Sequence, residues 1–125
     1  MAWSGKVRRH KYDAQRTVFD GVSYDSKAEA TRARELNLLE AAGEIGRWKR
    51  QVPVELVKGF SCRVDFLVFS TDNTSEHFED VKGMETQRSR DIKRLWAVHG
   101  PLPLVILKRK GTGWTREIIQ GKPVV

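Results

Sequence analysis

The chain has 125 residues, with 23 Lys plus Arg against 16 Asp plus Glu, a formal net charge of +7 and an isoelectric point near 9.9. That length favours one domain with a single core of a few helices on a sheet, and the cationic excess favours a polyanionic partner, nucleic acid first. A single cysteine, Cys62, excludes an intramolecular disulfide framework and a multi-cysteine zinc site and fits a reducing cytoplasm.

Residues 1–16 carry Lys6, Arg8, Arg9, His10, Lys11 and Arg16 with few sizeable apolar groups, and read as a flexible basic arm ahead of one domain spanning 17–125. This start lacks the apolar core of a signal peptide. Thr17 to Phe19 and Val22 to Tyr24 flank Asp20-Gly21, a dipeptide that tolerates the two positive φ angles of a tight hairpin. Asp25-Ser26-Lys27-Ala28-Glu29 then opens a helix predicted to run to about Ala42 and to stop at Gly43, with Ala33, Leu36 and Leu39 as its buried stripe. Ser26 and Glu29 have the spacing of a capping box.

Residues 45–49 read as a connection, Val52 to Val57 as the first core strand with Pro53 near its start, and Lys58 to Ser61 as a turn. The next strand, Arg63 to Phe69, is apolar on both sides: Val64, Phe66 and Val68 on one, Leu67 and Phe69 beside Asp65 on the other. A lone buried aspartate there would be costly without a partner or a metal. After a polar turn, His77 to Gly83 forms a strand that puts Asp80 and Lys82 on one side and Glu79 with His77 on the other. Gln87 to His99 is a second helix, with Ile92, Leu95, Trp96 and one of Val98 or His99 inward and Arg88, Arg90, Lys93 and Arg94 outside. Leu104 to Leu107 is a buried strand leading into Lys108-Arg109-Lys110, and Trp114 to Ile119 is the last. The longest apolar run, Leu102 to Leu107, is far too short to span a bilayer, so the chain reads as soluble.

If the Asp65 and Asp80 strands pair, two acids and a lysine converge on an otherwise apolar sheet. Hydrolysis of a phosphodiester needs a deprotonated water and stabilisation of negative charge, and one or two Mg²⁺ ions provide both. Mg²⁺ takes hard oxygens and keeps several waters, so two or three carboxylates suffice. Asp65 and Asp80 would supply two, the carbonyl of Val81 another oxygen, and Glu29 could complete the site from the helix, although its spacing alone favours the capping role. Lys82 would orient the attacking water or stabilise the developing anion. Glu79, on the other face, is not expected as a ligand, and neither His10, His77 nor His99 stands out as a base. A buried ion pair with a spare acid explains the same three residues without chemistry. Cys62 reads as a small buried filler.

The run Tyr24-Asp25-Ser26-Lys27-Ala28-Glu29-Ala30, then Glu40-Ala41-Ala42-Gly43-Glu44-Ile45, then Glu79-Asp80-Val81-Lys82-Gly83 resembles small phage-encoded members of the PD-(D/E)xK nuclease superfamily, relatives of archaeal-type Holliday junction resolvases. The resemblance covers roughly residues 17–109. It implies an α/β, restriction-endonuclease-like fold, a mixed central sheet flanked by helices. It also implies that Glu29, Asp65 and Asp80 coordinate Mg²⁺ or Mn²⁺, that Lys82 is the catalytic lysine, and that the enzyme is a homodimer hydrolysing four-way junctions in the cytoplasm of a bacterial host. Val64 stands where the motif often has proline, and Asp80 where glutamate is common. The cations Lys6, Arg8, Arg9, Lys11, Lys27, Arg88, Arg90, Lys93 and Arg94 would grip the phosphate backbone of branched or duplex DNA. Two alternatives are an endonuclease of the same superfamily acting on linear or single-stranded DNA, and a non-catalytic nucleic-acid-binding module.

Overall fold

The computed structural model describes residues 17–122, so the basic arm and its cations Lys6, Arg8, Arg9 and Lys11 lie outside the described residues. Strands β1 (Thr17–Phe19) and β2 (Val22–Tyr24) pair antiparallel around Asp20 and Gly21, whose φ angles of 52° and 74° are those the hairpin requires. Helix α1 (Lys27–Ala41) follows, with Ser26 as its N-cap. Then come β3 (Arg47–Val57), β4 (Phe60–Phe69), β5 (Glu76–Val81), helix α2 (Gln87–His99), β6 (Leu104–Lys110) and β7 (Gly113–Ile119).

The five later strands form one mixed sheet in the order β3-β4-β5-β6-β7. All neighbours are antiparallel except β5 and β6, which run parallel because α2 carries the chain across between them. Alternate residues of β4 face different cores. Phe66 and Val68 pack with Tyr24, Ala30, Ala33 and Leu36 beneath α1, whereas Leu67 and Phe69 pack with Phe78, Leu104, Ile106 and Trp96 beneath α2. The sheet is therefore covered by one helix on each face, a mixed α/β architecture.

Trp96 is wholly buried, lies edge-on to Phe78 at 5.3 Å between ring centroids, and donates its indole N–H to the Leu102 carbonyl at 2.8 Å. A Cβ on Gly100 would stand 2.3 Å from that indole, so the chain can leave α2 only through a residue without a side chain. Val98 and His99, one of which was expected inward, are both exposed.

Several other sequence-based expectations shift. Strand β3 starts at Arg47 rather than Val52, because the supposed connection has its own packing: Trp48 sits edge-on to Phe66 at 5.6 Å and donates to Asn37, and Arg47 lies over the Phe69 ring. Pro53 is consequently mid-strand, which a sheet-edge position tolerates. The tight turn is Lys58-Gly59, with Phe60 and Ser61 already in β4. Strand β5 ends at Val81, leaving Lys82 and Gly83 beyond it, and β7 begins at Gly113. Val64 does not share a core with Phe66 and Val68: it joins the α2 side with Cys62. The alternation of β4 is broken at Asp65.

A buried ionic clamp ties α1 to β5. Arg32 donates Nε to Glu79 Oε1 at 2.7 Å and Nη2 to Oε2 at 2.9 Å, and also reaches Glu35 at 2.9 Å. His77 Nε2 lies 2.9 Å from the same Glu79 carboxylate. Burial acts to raise the Glu79 pKa, but the bonds from His77 and Arg32 outweigh it and hold the group down at about 2. Arg32 was not foreseen as buried, since the apolar pattern of α1 gives an arginine no inward signal. Arg32→Ala should destabilise the fold by about 3 kcal/mol, read by chemical denaturation, because it leaves the buried Glu79 carboxylate with His77 in place of the two-pronged guanidinium bond. Since Glu79 is depressed from its ordinary 4.5, its contribution is present above pH 4.5 and should be lost as pH falls toward 2, a loss that Glu79→Gln removes.

Candidate functional site

The fold brings five expected residues to one place. The first turn of α1 supplies Glu29, β4 supplies Asp65, the end of β5 supplies Asp80 and Val81, and the segment after it supplies Lys82. All line a cleft of about 530 Å³, with Asp25, Ser26, Arg63 and Met84 around them.

The geometry follows from how β4 and β5 separate. Their pairing runs from Phe69↔Glu76 to Phe66↔Glu79, and the next residues in register are Asp65 and Asp80. There, carboxylates take over the backbone donors: Asp80 Oδ1 accepts from the Asp65 N–H at 3.2 Å, and Asp65 Oδ2 accepts from the Val81 N–H at 2.8 Å. Lys82 Nζ lies 2.5 Å from Asp80 Oδ2. Glu29 is 4% exposed. Its backbone N–H donates to the Ser26 hydroxyl at 3.0 Å, which is the N-cap bond, while its carboxylate accepts from Gln51 Nε2 at 3.0 Å. The Ser26 cap forms but the expected capping box does not, because the Glu29 side chain turns to Gln51 and the cleft rather than back to the Ser26 N–H.

Charge repulsion dominates the electrostatics. Burial, then the neighbouring Asp80 and Glu29 carboxylates, push Asp65 up to about 9, so that it holds a proton at neutral pH and hydrogen-bonds the Asp80 carboxylate. Glu29 is also raised, by burial first and then by Asp25, with Arg50 and Gln51 pulling the other way. Burial raises the Cys62 thiol too, as expected of an inert filler. Glu79 faces away into its clamp with Arg32. Among the described residues, no three His, Cys, Asp or Glu side chains are already gathered closely enough to hold a metal ion. Instead a proton on Asp65 and the ammonium of Lys82 offset the acids.

Hard carboxylate oxygens from three elements nevertheless surround one cleft, crowded enough that one acid is driven to protonate, and oxygens of this kind suit a hard divalent cation in general.

A second cleft of about 500 Å³ adjoins the first, sharing Asp25, Arg63 and Asp65 and adding Gln51, Ser61, Cys62 and Arg88. Arg88 is anchored there by a 2.8 Å bond to the Ser61 carbonyl and by stacking over Phe60. The other expected phosphate-binding cations are dispersed. Lys27 is exposed beside the cleft-lining turn, and Arg94 lines an apolar groove with Phe60, Leu95 and Val98. Arg90 lies 4.0 Å from Glu85, and Lys93 is held between Glu85 and Glu117 at 2.7 and 3.0 Å. Arg63 and Gln51 were missed. Neither has a sequence signal, because only the β3–β4 pairing carries Gln51 to Asp65 and only the end of the β4–β5 pairing leaves Arg63 at the rim.

A mixed sheet between two helices, carrying an acidic cleft at the parting of two strands, defines an α/β protein with a candidate cation site. The chain belongs to the family described as Protein of unknown function (DUF1064), which matches residues 9–108. No curated protein and no solved structure matches it.

Replacing the Asp65 carboxyl, which must take up a proton to be buried among the other acids, should stabilise the metal-free protein. A carboxyl raised from 3.8 to about 9 contributes stability fully below pH 3.8 and loses it as pH rises toward 9. Thermal melts in EDTA should therefore place Asp65→Asn above the unsubstituted chain by about 1–2 kcal/mol at pH 8, with the gap closing near pH 4.

Proposed function

We propose that this protein is a metal-dependent DNA endonuclease of the PD-(D/E)xK nuclease superfamily, with restriction-endonuclease-like architecture and four-way junctions as its preferred substrate. One observation carries the reading: Glu29, Asp65, Asp80 and Lys82, drawn from three separate stretches of sequence, line a single cleft. The helix-covered mixed sheet supports the architecture, and the net charge of +7 supports a nucleic-acid substrate.

Glu29, Asp65 and Asp80, with the Val81 carbonyl beside them, would hold Mg²⁺ or Mn²⁺. When bound, the cation supplies a lowered pKa for the attacking water and charge neutralisation at the phosphorane. Asp65 would have to give up its proton to serve as a ligand, so cation affinity would rise with pH. Lys82, beside Asp80, would hold the attacking water or meet the anion that develops on a phosphoryl oxygen, and its ion pair with Asp80 supports that role. Arg63, common to both clefts, and the anchored Arg88 would hold the phosphates flanking the scissile one. A homodimer would present two equivalent sites to a two-fold symmetric junction.

The test is incubation of the purified protein with labelled four-way junction, linear duplex and single-stranded DNA in Mg²⁺ or EDTA. Metal-dependent, paired cuts at the junction are expected, with Asp65→Asn inactive and Lys82→Ala slower by about 10²–10³-fold. Preferential cutting of duplex or single strands would keep the nuclease and remove the junction, and no cleavage of any substrate would remove both. Arg63→Gln and Arg88→Gln should each lower the salt dependence of DNA binding, by about one in the log–log slope measured by fluorescence anisotropy.

A further inference from the structure

Three non-glycine residues among those described have positive φ: Asp20, Gln51 and Asn73. Asp20 lies in the β1–β2 turn and Asn73 in the loop between β4 and β5, and both are residue types that tolerate the left-handed region. Gln51 is different. It lies in the middle of the eleven-residue strand β3, with φ of 54°, and glutamine has no such preference.

The ladder passes from Arg50↔Phe66 to Val52↔Val64, which sets Gln51 across from Asp65. Before this point Trp48 packs on the α1 side, and after it Val52, Val54 and Leu56 pack on the α2 side. The left-handed residue therefore turns the strand over. That accounts for the backbone, and glycine would do it with less strain. It does not account for the side chain, which reaches across to Glu29 and donates to Oε1 at 3.0 Å. Glu29 is almost fully buried, and its backbone is tied to the Ser26 cap, so the Gln51 amide sets the rotation of the carboxylate and engages one of its two oxygens. Backbone strain retained beside a cluster of functional groups points to a role for the side chain that the strain delivers.

We infer that Gln51 is a positioning residue for the cation site: held in a left-handed kink opposite Asp65, its amide orients the Glu29 carboxylate so that the other oxygen serves as ligand. This deepens the metal-site reading proposed above and rests on it. Amide donors behind ligating carboxylates typically change metal affinity by about 10–100-fold when removed.

The test uses the full chain and measures two quantities, Mn²⁺ affinity by titration calorimetry and melting temperature in EDTA. Gln51→Gly keeps the kink and loses the amide, and Gln51→Asn keeps an amide and a tolerance of positive φ but is one methylene too short to reach Glu29. Both variants should bind Mn²⁺ about 10–100-fold more weakly, and the glycine variant should melt at or above the unsubstituted temperature, because strain is relieved. A purely structural glutamine predicts the opposite pattern, a lower melting temperature with unchanged affinity. Unchanged Mn²⁺ affinity in either folded variant would overturn the inference while leaving the metal site intact. If the glycine variant does not fold, the asparagine variant alone decides. Failure of the unsubstituted chain to bind Mn²⁺ would overturn the site and the inference together.

Discussion

The parting of β4 and β5 governs this molecule. Beyond Phe66↔Glu79 the two strands stop exchanging backbone hydrogen bonds, and the carboxylates of Asp65 and Asp80 accept from the donors left behind. Acceptors are required there, since buried backbone N–H groups must be satisfied, yet two charged acceptors so close repel. The N-terminal turn of α1 adds Glu29 to the same cleft. The crowding is therefore a consequence of the fold's own hydrogen-bond accounting, and it creates a place where a cation or a proton must intervene.

Neighbouring residues of β5 illustrate how sharply environment divides like groups. Glu79 and Asp80 are adjacent, but the pleat sends one to Arg32 and His77 and the other to Asp65 and Lys82. The clamp around Glu79 is fully compensated and holds α1 on the sheet. The cluster around Asp65 is short of positive charge, and Asp65 is driven to about 9 as a result. Compensated charge lies on one side of the strand and a deficit of positive charge on the other, and α1 serves both: Arg32 locks the helix in place while Glu29, one turn earlier, is carried into the cleft.

The cations show the same division. Lys93 is engaged by Glu85 and Glu117, whereas Arg63 and Arg88 face the joined clefts, so an excess of positive charge in the composition says little about where an anion can bind. Arg88 is pre-organised by Ser61 and Phe60, which lowers the conformational entropy lost when its guanidinium meets a ligand.

By itself the sequence determined the elements whose signals are local. The Asp20-Gly21 hairpin, the Ser26 cap, α2 from Gln87 to His99 and the apolar β4 could all be read because turn chemistry, capping and hydrophobic period act over a few residues. The acids Glu29, Asp65 and Asp80 and Lys82 were legible as a candidate site because each sits at a recognisable element start or strand position. Only the tertiary structure decided what depends on pairing between distant segments. It extended β3 back to Arg47 through the packing of Trp48, and it buried Arg32 against Glu79. It moved Val64 to the other core, and it set Gln51 across from Asp65 with its amide on Glu29. Residues brought together by strand register are separated along the chain by intervals that no periodicity encodes, and a left-handed residue inside a strand reverses the alternation on which such readings rely.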